Sequence, residues 1–253
     1  MGPEIRFENV TRRFGSVTAV DAVDLTIAPG SFVALVGESG SGKSTLLRAI
    51  NRLDEGAARA GRVFIGGDDT GAAPLTALRR RIGYVFQSIG LFPHMTAAAN
   101  VAVGRRARGE DLSAAEIAAL LDQVGLSTDF ASRMPRELSG GQAQRVGIAR
   151  ALAIEPEILL LDEPFAALDP VTRDALGKTV RALHETRGLT SILVTHDMAE
   201  AMLLADRVIV LAAGGIVADA TPADLASGRG GAVAEALVAV PREQARRIAE
   251  LGE

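Results

Sequence analysis

Three apolar runs stand out along the chain: Phe32-Val33-Ala34-Leu35-Val36, Ile158-Leu159-Leu160-Leu161, and Thr190-Ser191-Ile192-Leu193-Val194-Thr195. Runs of this length, rich in β-branched and aliphatic residues, read as strands buried on both faces, the pattern of a parallel sheet covered by helices. Residues 4–36 begin differently, with Ile5 and Phe7, then Val23, Leu25 and Ile27, alternating with polar positions. That alternation predicts partly exposed antiparallel strands ahead of the first buried run. From about residue 88 to 150 the spacing becomes helical. There Ser113-Ala114-Ala115-Glu116 reads as a capping box, and Ile117, Leu120, Leu121 and Val124 make one apolar helix face ending at Gly125. Residues 208–213 and 216–220 flank Gly214-Gly215, a hairpin signal. Thr221-Pro222-Ala223-Asp224 opens a further helix with proline at its first position. Residues 241–248 read either as a short amphipathic helix or as a frayed tail, and no internal repeat is present.

Composition narrows the function classes. The chain has 253 residues, 48% hydrophobic and 23% charged, as an ordinary folded protein does. It has no cysteine, which excludes disulfide frameworks, cysteine-ligated zinc and thiol catalysis. A net charge of −4 argues against a chain whose main task is gripping nucleic acid by its phosphates, so no nucleic-acid partner is expected. The N-terminus lacks the apolar core of a signal peptide, and the stretch 208–218 contains two glycines and is too short to span a bilayer. A soluble intracellular protein is expected. The arginine groups at 79–81 and 105, 106 and 108 read as solvated faces. Of the 27 basic side chains only Lys43 and Lys178 are lysines, and Lys43 falls at a chemically pointed position.

That position is the run Gly37-Glu38-Ser39-Gly40-Ser41-Gly42-Lys43-Ser44-Thr45, between the strand ending at Val36 and a helix carrying Leu46, Leu47 and Ile50. It fits G-x-x-x-x-G-K-[ST] at every fixed position. Glycines let successive backbone N–H groups turn inward around phosphate oxygens, and the helix start adds donors and partial positive charge. Lys43 is expected on the β- and γ-phosphates and the Ser44 hydroxyl on Mg²⁺. A dinucleotide fingerprint fits worse, because the third glycine is missing after Gly42.

The second buried run ends in Asp162-Glu163-Pro164. Carboxylates at the carboxyl end of such a strand sit where open α/β sheets bind ligands. Asp162 is the expected Mg²⁺ carboxylate, and Glu163 the group that orients or deprotonates the attacking water. The third run ends at His196-Asp197; His196 reads either as structural or as a contact to the γ-phosphate, and Asp197, with Glu200 three residues on, as a helix N-cap.

Leu138-Ser139-Gly140-Gly141-Gln142, 95 residues after Lys43, puts a serine cap and two glycines at another helix start, which forms a second anion site. With this motif the chain resembles the ATPase subunits of ABC transporters. The resemblance implies an α/β fold: a P-loop, RecA-like core with an N-terminal antiparallel β subdomain and an inserted α-helical subdomain. The implied division is 1–222 for the ATPase domain (core 1–87 and 151–222, helical subdomain 88–150) and 223–253 for a C-terminal helical tail. It further implies ATP and Mg²⁺ as cofactors, with ATP held between the phosphate loop of one subunit and Ser139, Gly140, Gly141 and Gln142 of the other in a head-to-tail homodimer. Phe14 is similar in placement to the family's adenine-stacking aromatic, a plain core phenylalanine being the rival reading. Gln87 resembles the glutamine that touches Mg²⁺ and couples to the membrane subunit. Ala167-Leu168-Asp169 matches the dimer-crossing loop, although Ala166 stands where many members carry serine, which removes one hydroxyl contact. Catalysis is thus expected from Lys43, Gln87, Glu163 and His196, and metal binding from Ser44, Gln87 and Asp162.

Asn51-Arg52-Leu53 and the stretch 81–96 are most similar to importers of osmoprotectants such as glycine betaine, choline or carnitine. Leu91 to Thr96 taken alone also resembles sugar, polyamine and sulfate importers. The implied partners are membrane-spanning permease subunits and, through them, an extracytoplasmic solute-binding protein. The implied location is peripheral, on the cytoplasmic face of the inner membrane.

Overall fold

Ile5, Phe7 and Val10 point to the buried side of β1 (Ile5–Phe14), the alternation read from the sequence. The strand pairs antiparallel with β2 (Val17–Ile27), Ile5 opposite Ile27 and Phe7 opposite Leu25. The register slips between Phe7 and Val10, where Asn9 and Ala22 (φ 48° and 47°, respectively) adopt left-handed backbone. These bulges let Val10, Val20 and Val23 return to the buried face after each slip. In the computed structural model the residues described are 1–88, 90–229 and, beyond them, 231, 235, 236, 238, 239, 243, 246, 247 and 250. The reading of 241–248 as helix or tail falls on 241, 242, 244, 245 and 248, outside the described residues.

The chain divides into two compact units, a β-rich unit of residues 5–27, 31–71 and 192–253 and a helix-rich unit of 1–4, 28–30 and 72–191. In the β-rich unit, β3 (Phe32–Val36) is buried at all five positions and leads into α1 (Lys43–Ile50). Burying each large aliphatic or aromatic side chain of such a strand contributes roughly 1.5–3 kcal/mol. β4 (Ala58–Ile65) then pairs with β1, and β5 (Asp68–Asp69) with β4, in the sheet order β2-β1-β4-β5. The sequence pattern does not announce β4, because its first five residues are exposed and only Val63 and Ile65 are buried.

The helix-rich unit contains α2 (Leu75–Arg80), β6 (Ile82–Val85), α3 (Ala97–Arg106), α4 (Ala114–Gln123), α5 (Gly140–Ala153), β7 (Ile158–Asp162) and α6 (Pro170–Arg187). β8 (Thr190–Val194) follows, its first two residues in this unit and its last three in the β-rich unit. α4 carries the expected capping box, with Ser113 N–H donating to Glu116 Oε2 at 2.7 Å and Glu116 N–H to Ser113 Oγ at 3.2 Å. β6 runs parallel to β7, Val85 opposite Leu161. Two of the arginine groups do more than solvate a face. Arg105 Nε donates to the Ala153 carbonyl at 2.9 Å and Arg108 to the Ile154 carbonyl at 3.4 Å, while Arg81 pairs with Glu157 at 2.9 Å. The carbonyls at the end of α5 need donors, and long arginine side chains from elsewhere supply them.

In the remainder of the β-rich unit, α7 (Met198–Leu204) precedes β9 (Arg207–Ala212), which lies parallel to β3. β10 (Gly215–Ala220) returns antiparallel, and α8 (Pro222–Ala226) begins with Thr221 as its cap, Asp224 N–H donating to the hydroxyl at 3.2 Å. The hairpin turn is Ala213-Gly214 (φ 48 and 83°), one residue earlier than expected, and Gly215 already pairs with Ala212. A tight two-residue turn of this kind needs positive φ at both positions, so Ala213 accepts a conformation that alanine disfavours.

One ionic cluster holds the β-rich unit's sheet to the segment after α1. Arg12 and Asp54, 5% and 3% exposed, form a direct ion pair; Arg59 lies 2.8 Å from the other Asp54 oxygen. Arg12 also donates to the carbonyls of Thr11 at 2.8 Å and Ala60 at 3.0 Å. Removing one partner leaves buried charge uncompensated, so Asp54→Ala should lower unfolding free energy by about 3–5 kcal/mol in urea titration. A change below about 1 kcal/mol would mean that water already screens the pair.

Candidate functional site

The phosphate-loop sequence folds as a tight cup between β3 and α1. Gly37 (φ 144°) and Gly42 (φ 102°) lie against neighbouring backbone: a Cβ on Gly37 would collide with the Leu211 carbonyl oxygen, and one on Gly42 with that of Ala19. Gly40 (φ 83°) needs its left-handed backbone alone, since nothing lies within 4 Å of a Cβ there. Ser41 N–H donates to the Glu38 carbonyl at 3.2 Å, and the Ser41 carbonyl accepts from Gly214 at 3.2 Å, tying the cup to the β9–β10 turn. The Lys43 side chain is 4% exposed and folds back into the cup, donating to the carbonyls of Gly37 at 2.8 Å and Glu38 at 2.7 Å. Ser44 and Thr45 are half-buried at the start of α1, whose N-cap, Gly42, offers no side-chain acceptor to the first-turn amides. Inward glycines, an ammonium and amide donors at a helix start are the chemistry that phosphate oxygens require. A cavity of about 370 Å³ adjoins Gly37–Ser41 on the β9 side; neither Lys43 nor Ser44 lines it, so it is not the space those side chains mark.

Two more expected residues belong to the same unit. Phe14 ends β1 beside the turn at Gly15 and is 38% exposed, which leaves a ring face open for stacking and disfavours the reading as plain core. His196 is exposed just after β8. Asp197 is the N-cap of α7, as its spacing to Glu200 predicts: its carboxylate accepts from Ala199 N–H at 2.8 Å and Glu200 N–H at 3.2 Å.

In the helix-rich unit, β6 and β7 end at one edge and bring Gln87, Asp162 and Glu163 together. Asp162 is 1% exposed and accepts a hydrogen bond from the Tyr84 hydroxyl at 2.9 Å. Gln87 Nε2 donates to Glu163 Oε2 at 3.2 Å. Glu163 itself has φ 45°, a left-handed backbone that costs a non-glycine residue about 1–3 kcal/mol. Neither the Tyr84 contact nor this strained turn was legible in the sequence. The one available signal was a lone tyrosine in an apolar strand, since a tyrosine hydroxyl in such a place needs a partner.

The Leu138–Gln142 motif also lies in this unit. Ser139 Oγ accepts from Gln142 N–H at 3.3 Å and Gln142 Oε1 accepts from Ser139 N–H at 2.9 Å, a capping box at the head of α5. Ser139 and Gly140 face solvent. A Cβ on Gly141 would lie 2.8 Å from Thr172 Cγ2, so the motif packs on the start of α6. Asp169 caps that helix, accepting from Val171 N–H at 3.1 Å and Thr172 N–H at 3.0 Å. The Thr172 hydroxyl and then its amide hold the Asp169 carboxyl below the usual carboxylate range.

The ABC transporter family profile matches residues 20–166. Among curated relatives, the glycine betaine uptake system ATP-binding protein YehX of Escherichia coli (strain K12) is 45% identical over 224 residues, covering 86% of this chain and 71% of its own length. The choline transport ATP-binding protein OpuBA of Bacillus subtilis (strain 168) is 46% identical over 87% of this chain, which spans only 58% of that protein. The sulfate/thiosulfate import ATP-binding protein CysA of Thermosynechococcus vestitus (strain NIES-2133 / IAM M-273 / BP-1) is 48% identical over 87% of the chain and 65% of its own. Among solved structures, a dimeric post-hydrolysis state of the ATP-binding cassette MJ0796 bound to ADP and Pi aligns with a TM-score of 0.78 at 36% identity, covering 86% of this chain and 98% of that one.

The crowding at Gly42 can be tested directly. Gly42→Ala should weaken ATP binding in calorimetric titration at least about tenfold, because its Cβ collides with fixed backbone and the strain exceeds about 1 kcal/mol. Gly40→Ala, which meets open space and carries only the φ penalty, should lose less. Equal losses would place the constraint in φ alone.

Proposed function

The chain belongs to the ABC transporter family, and from that premise we propose that it is the ATP-hydrolysing subunit of an importer for osmoprotectants such as glycine betaine, choline or carnitine. The observation that carries the ATPase reading is the glycine cup with the Lys43 ammonium folded into it. It fits a nucleoside triphosphate, because a ligand with anionic oxygens can take the ammonium and the first amides of α1 together.

In this reading Phe14 stacks on adenine, and Gly37, Glu38, Ser39, Gly40, Ser41, Gly42, Lys43, Ser44 and Thr45 surround the phosphates. Asp162, Gln87 and Ser44 are assigned to Mg²⁺ from their motif positions; hydroxyl, amide and carboxylate oxygens are the hard donors that ion prefers. When bound, Mg²⁺ neutralises charge on the phosphates. Glu163 holds and deprotonates the attacking water, and His196 and Lys43 stabilise the charge that develops on the γ-phosphate. Ser139, Gly140, Gly141 and Gln142, with Asp169 nearby, face the nucleotide of a second copy in a head-to-tail dimer. The exposed Ser139 cap and the dimeric MJ0796 structure support that arrangement. Only a nucleotide with a γ-phosphate bridges both copies, so ATP and ADP differ in the dimer they favour.

Residues 88–150 serve as the helical subdomain and 223–253 as a C-terminal tail. Gln87 stands in the chain between Phe86 and Ser88, which with Tyr84, Phe92 and Ile154 line a groove where a cytoplasmic segment of a permease subunit docks and couples closure to transport. Among the described residues no helix is long and apolar enough to cross a membrane; the proposed place of the chain is peripheral, on the cytoplasmic face. An extracytoplasmic binding protein reaches this chain only through the permease. A second passenger class, sulfate or another small solute, is favoured by the 48% identity to the sulfate/thiosulfate import protein.

Two experiments test the reading. Glu163→Gln should retain ATP binding, lower turnover at least about a hundredfold and accumulate a dimer in ATP on size-exclusion chromatography; wild-type turnover would remove Glu163 from the general-base role. Uptake of labelled glycine betaine and choline after osmotic upshift, in cells carrying Glu163→Gln at the chromosomal locus, should fall to background. Retained uptake beside lost labelled-sulfate uptake would transfer the chain to the second passenger class.

A further inference from the structure

We propose that Tyr84 is a positioning residue for Asp162, holding in place the carboxylate that the preceding reading assigns to Mg²⁺; the proposal rests on that assignment. Tyr84 stands on β6 opposite Leu160 of β7, two residues short of Asp162, and its ring extends toward the carboxyl edge until the hydroxyl donates to Asp162 Oδ2 at 2.9 Å. Asp162 is 1% exposed, so bulk water does little to orient it, and a carboxylate there must be oriented by protein donors. The nature of the donor matters. An arginine or lysine would orient the carboxylate but oppose the charge that attracts a cation, whereas a neutral hydroxyl fixes its orientation and leaves the charge intact.

The ring also packs against a neighbouring aromatic side chain. Its centroid lies 4.6 Å from that of Phe86 at 54°, and it forms part of the groove wall with Phe92 and Ile154. The hydroxyl is therefore aimed by packing, which is what distinguishes a positioning contact from a mobile side chain that happens to find an acceptor. The rival reading is a half-buried tyrosine that uses Asp162 only to satisfy its own hydroxyl. In that case removing the hydroxyl costs stability and nothing more.

The chain has one tyrosine and no tryptophan, so its intrinsic emission comes from Tyr84. A carboxylate acceptor quenches tyrosine emission. In the nucleotide-free chain Asp162→Asn should therefore raise it, and in the ATP-loaded Glu163→Gln chain, corrected for nucleotide absorbance, added Mg²⁺ should raise it as the cation draws charge from a carboxylate that the hydroxyl still holds. In steady-state assays Tyr84→Phe should raise the Mg²⁺ concentration for half-maximal ATP hydrolysis about tenfold, while the KM for ATP at saturating Mg²⁺ stays within about twofold. An unchanged Mg²⁺ midpoint in Tyr84→Phe, with a Mg²⁺-dependent wild type, overturns the proposal alone, as does emission that Mg²⁺ leaves unmoved. A wild-type chain whose hydrolysis ignores Mg²⁺ overturns the metal assignment and the proposal with it.

Discussion

Burial of the Lys43 ammonium inside the loop that precedes its own helix is the constraint on which the site depends. Taking a cation out of water costs several kcal/mol unless its donors are met, and here the carbonyls of Gly37 and Glu38 meet two of them. To turn those carbonyls toward the ammonium, the chain must take left-handed backbone at Gly37, Gly40 and Gly42. Two of these residues also press against the carbonyls of Leu211 and Ala19, so the cup is shaped by β9 and β2 as much as by its own sequence. The glycine pattern is therefore a packing requirement as well as a binding one.

The carboxylates obey a related logic in the helix-rich unit. β6 and β7 are parallel and in register, so their ends deliver Gln87, Asp162 and Glu163 to one edge without any dedicated loop. The strand geometry alone would point Asp162 and Glu163 to opposite faces. The left-handed backbone of Glu163 breaks that alternation, and the Gln87 amide then reaches its carboxylate. Asp162 at the strand end thus accepts from Tyr84, while Glu163, strained just past it, accepts from Gln87.

Much of this was legible in the sequence, and what was not has physical causes. The buried strands, the capping box at Ser113, the serine cap at Ser139 and the Asp197 cap follow from local rules, because each depends on residues within four positions of one another. β4 was hidden because an edge-exposed strand carries no apolar alternation over its first five residues. The hairpin turn moved by one residue because pairing of Gly215 with Ala212 outweighs the cost of placing Ala213 at positive φ. The Tyr84–Asp162 bond spans 78 positions, and no local pattern encodes a contact of that separation.

The arginines show how a long-range contact changes the meaning of a local pattern. As a cluster of like charge, Arg105, Arg106 and Arg108 read as a solvated face; in the fold, Arg105 and Arg108 reach the carbonyls of Ala153 and Ile154, and Arg187 reaches that of Leu152 at 3.1 Å. Burial draws the Arg187 guanidinium below its usual range, while the hydrogen bond that Arg105 donates to Glu110 raises its own. Three cations at the C-terminus of α5 complement its dipole, and a serine–glutamine box closes its N-terminus. A helix held at both ends frays at neither. Both ends of its 14 residues are thus tied by side chains, Ser139 and Gln142 at the first and three arginines at the last. In the proposed head-to-tail dimer, aim at the partner's nucleotide would draw on that rigidity, because a donor that wanders must be re-ordered each time a ligand arrives.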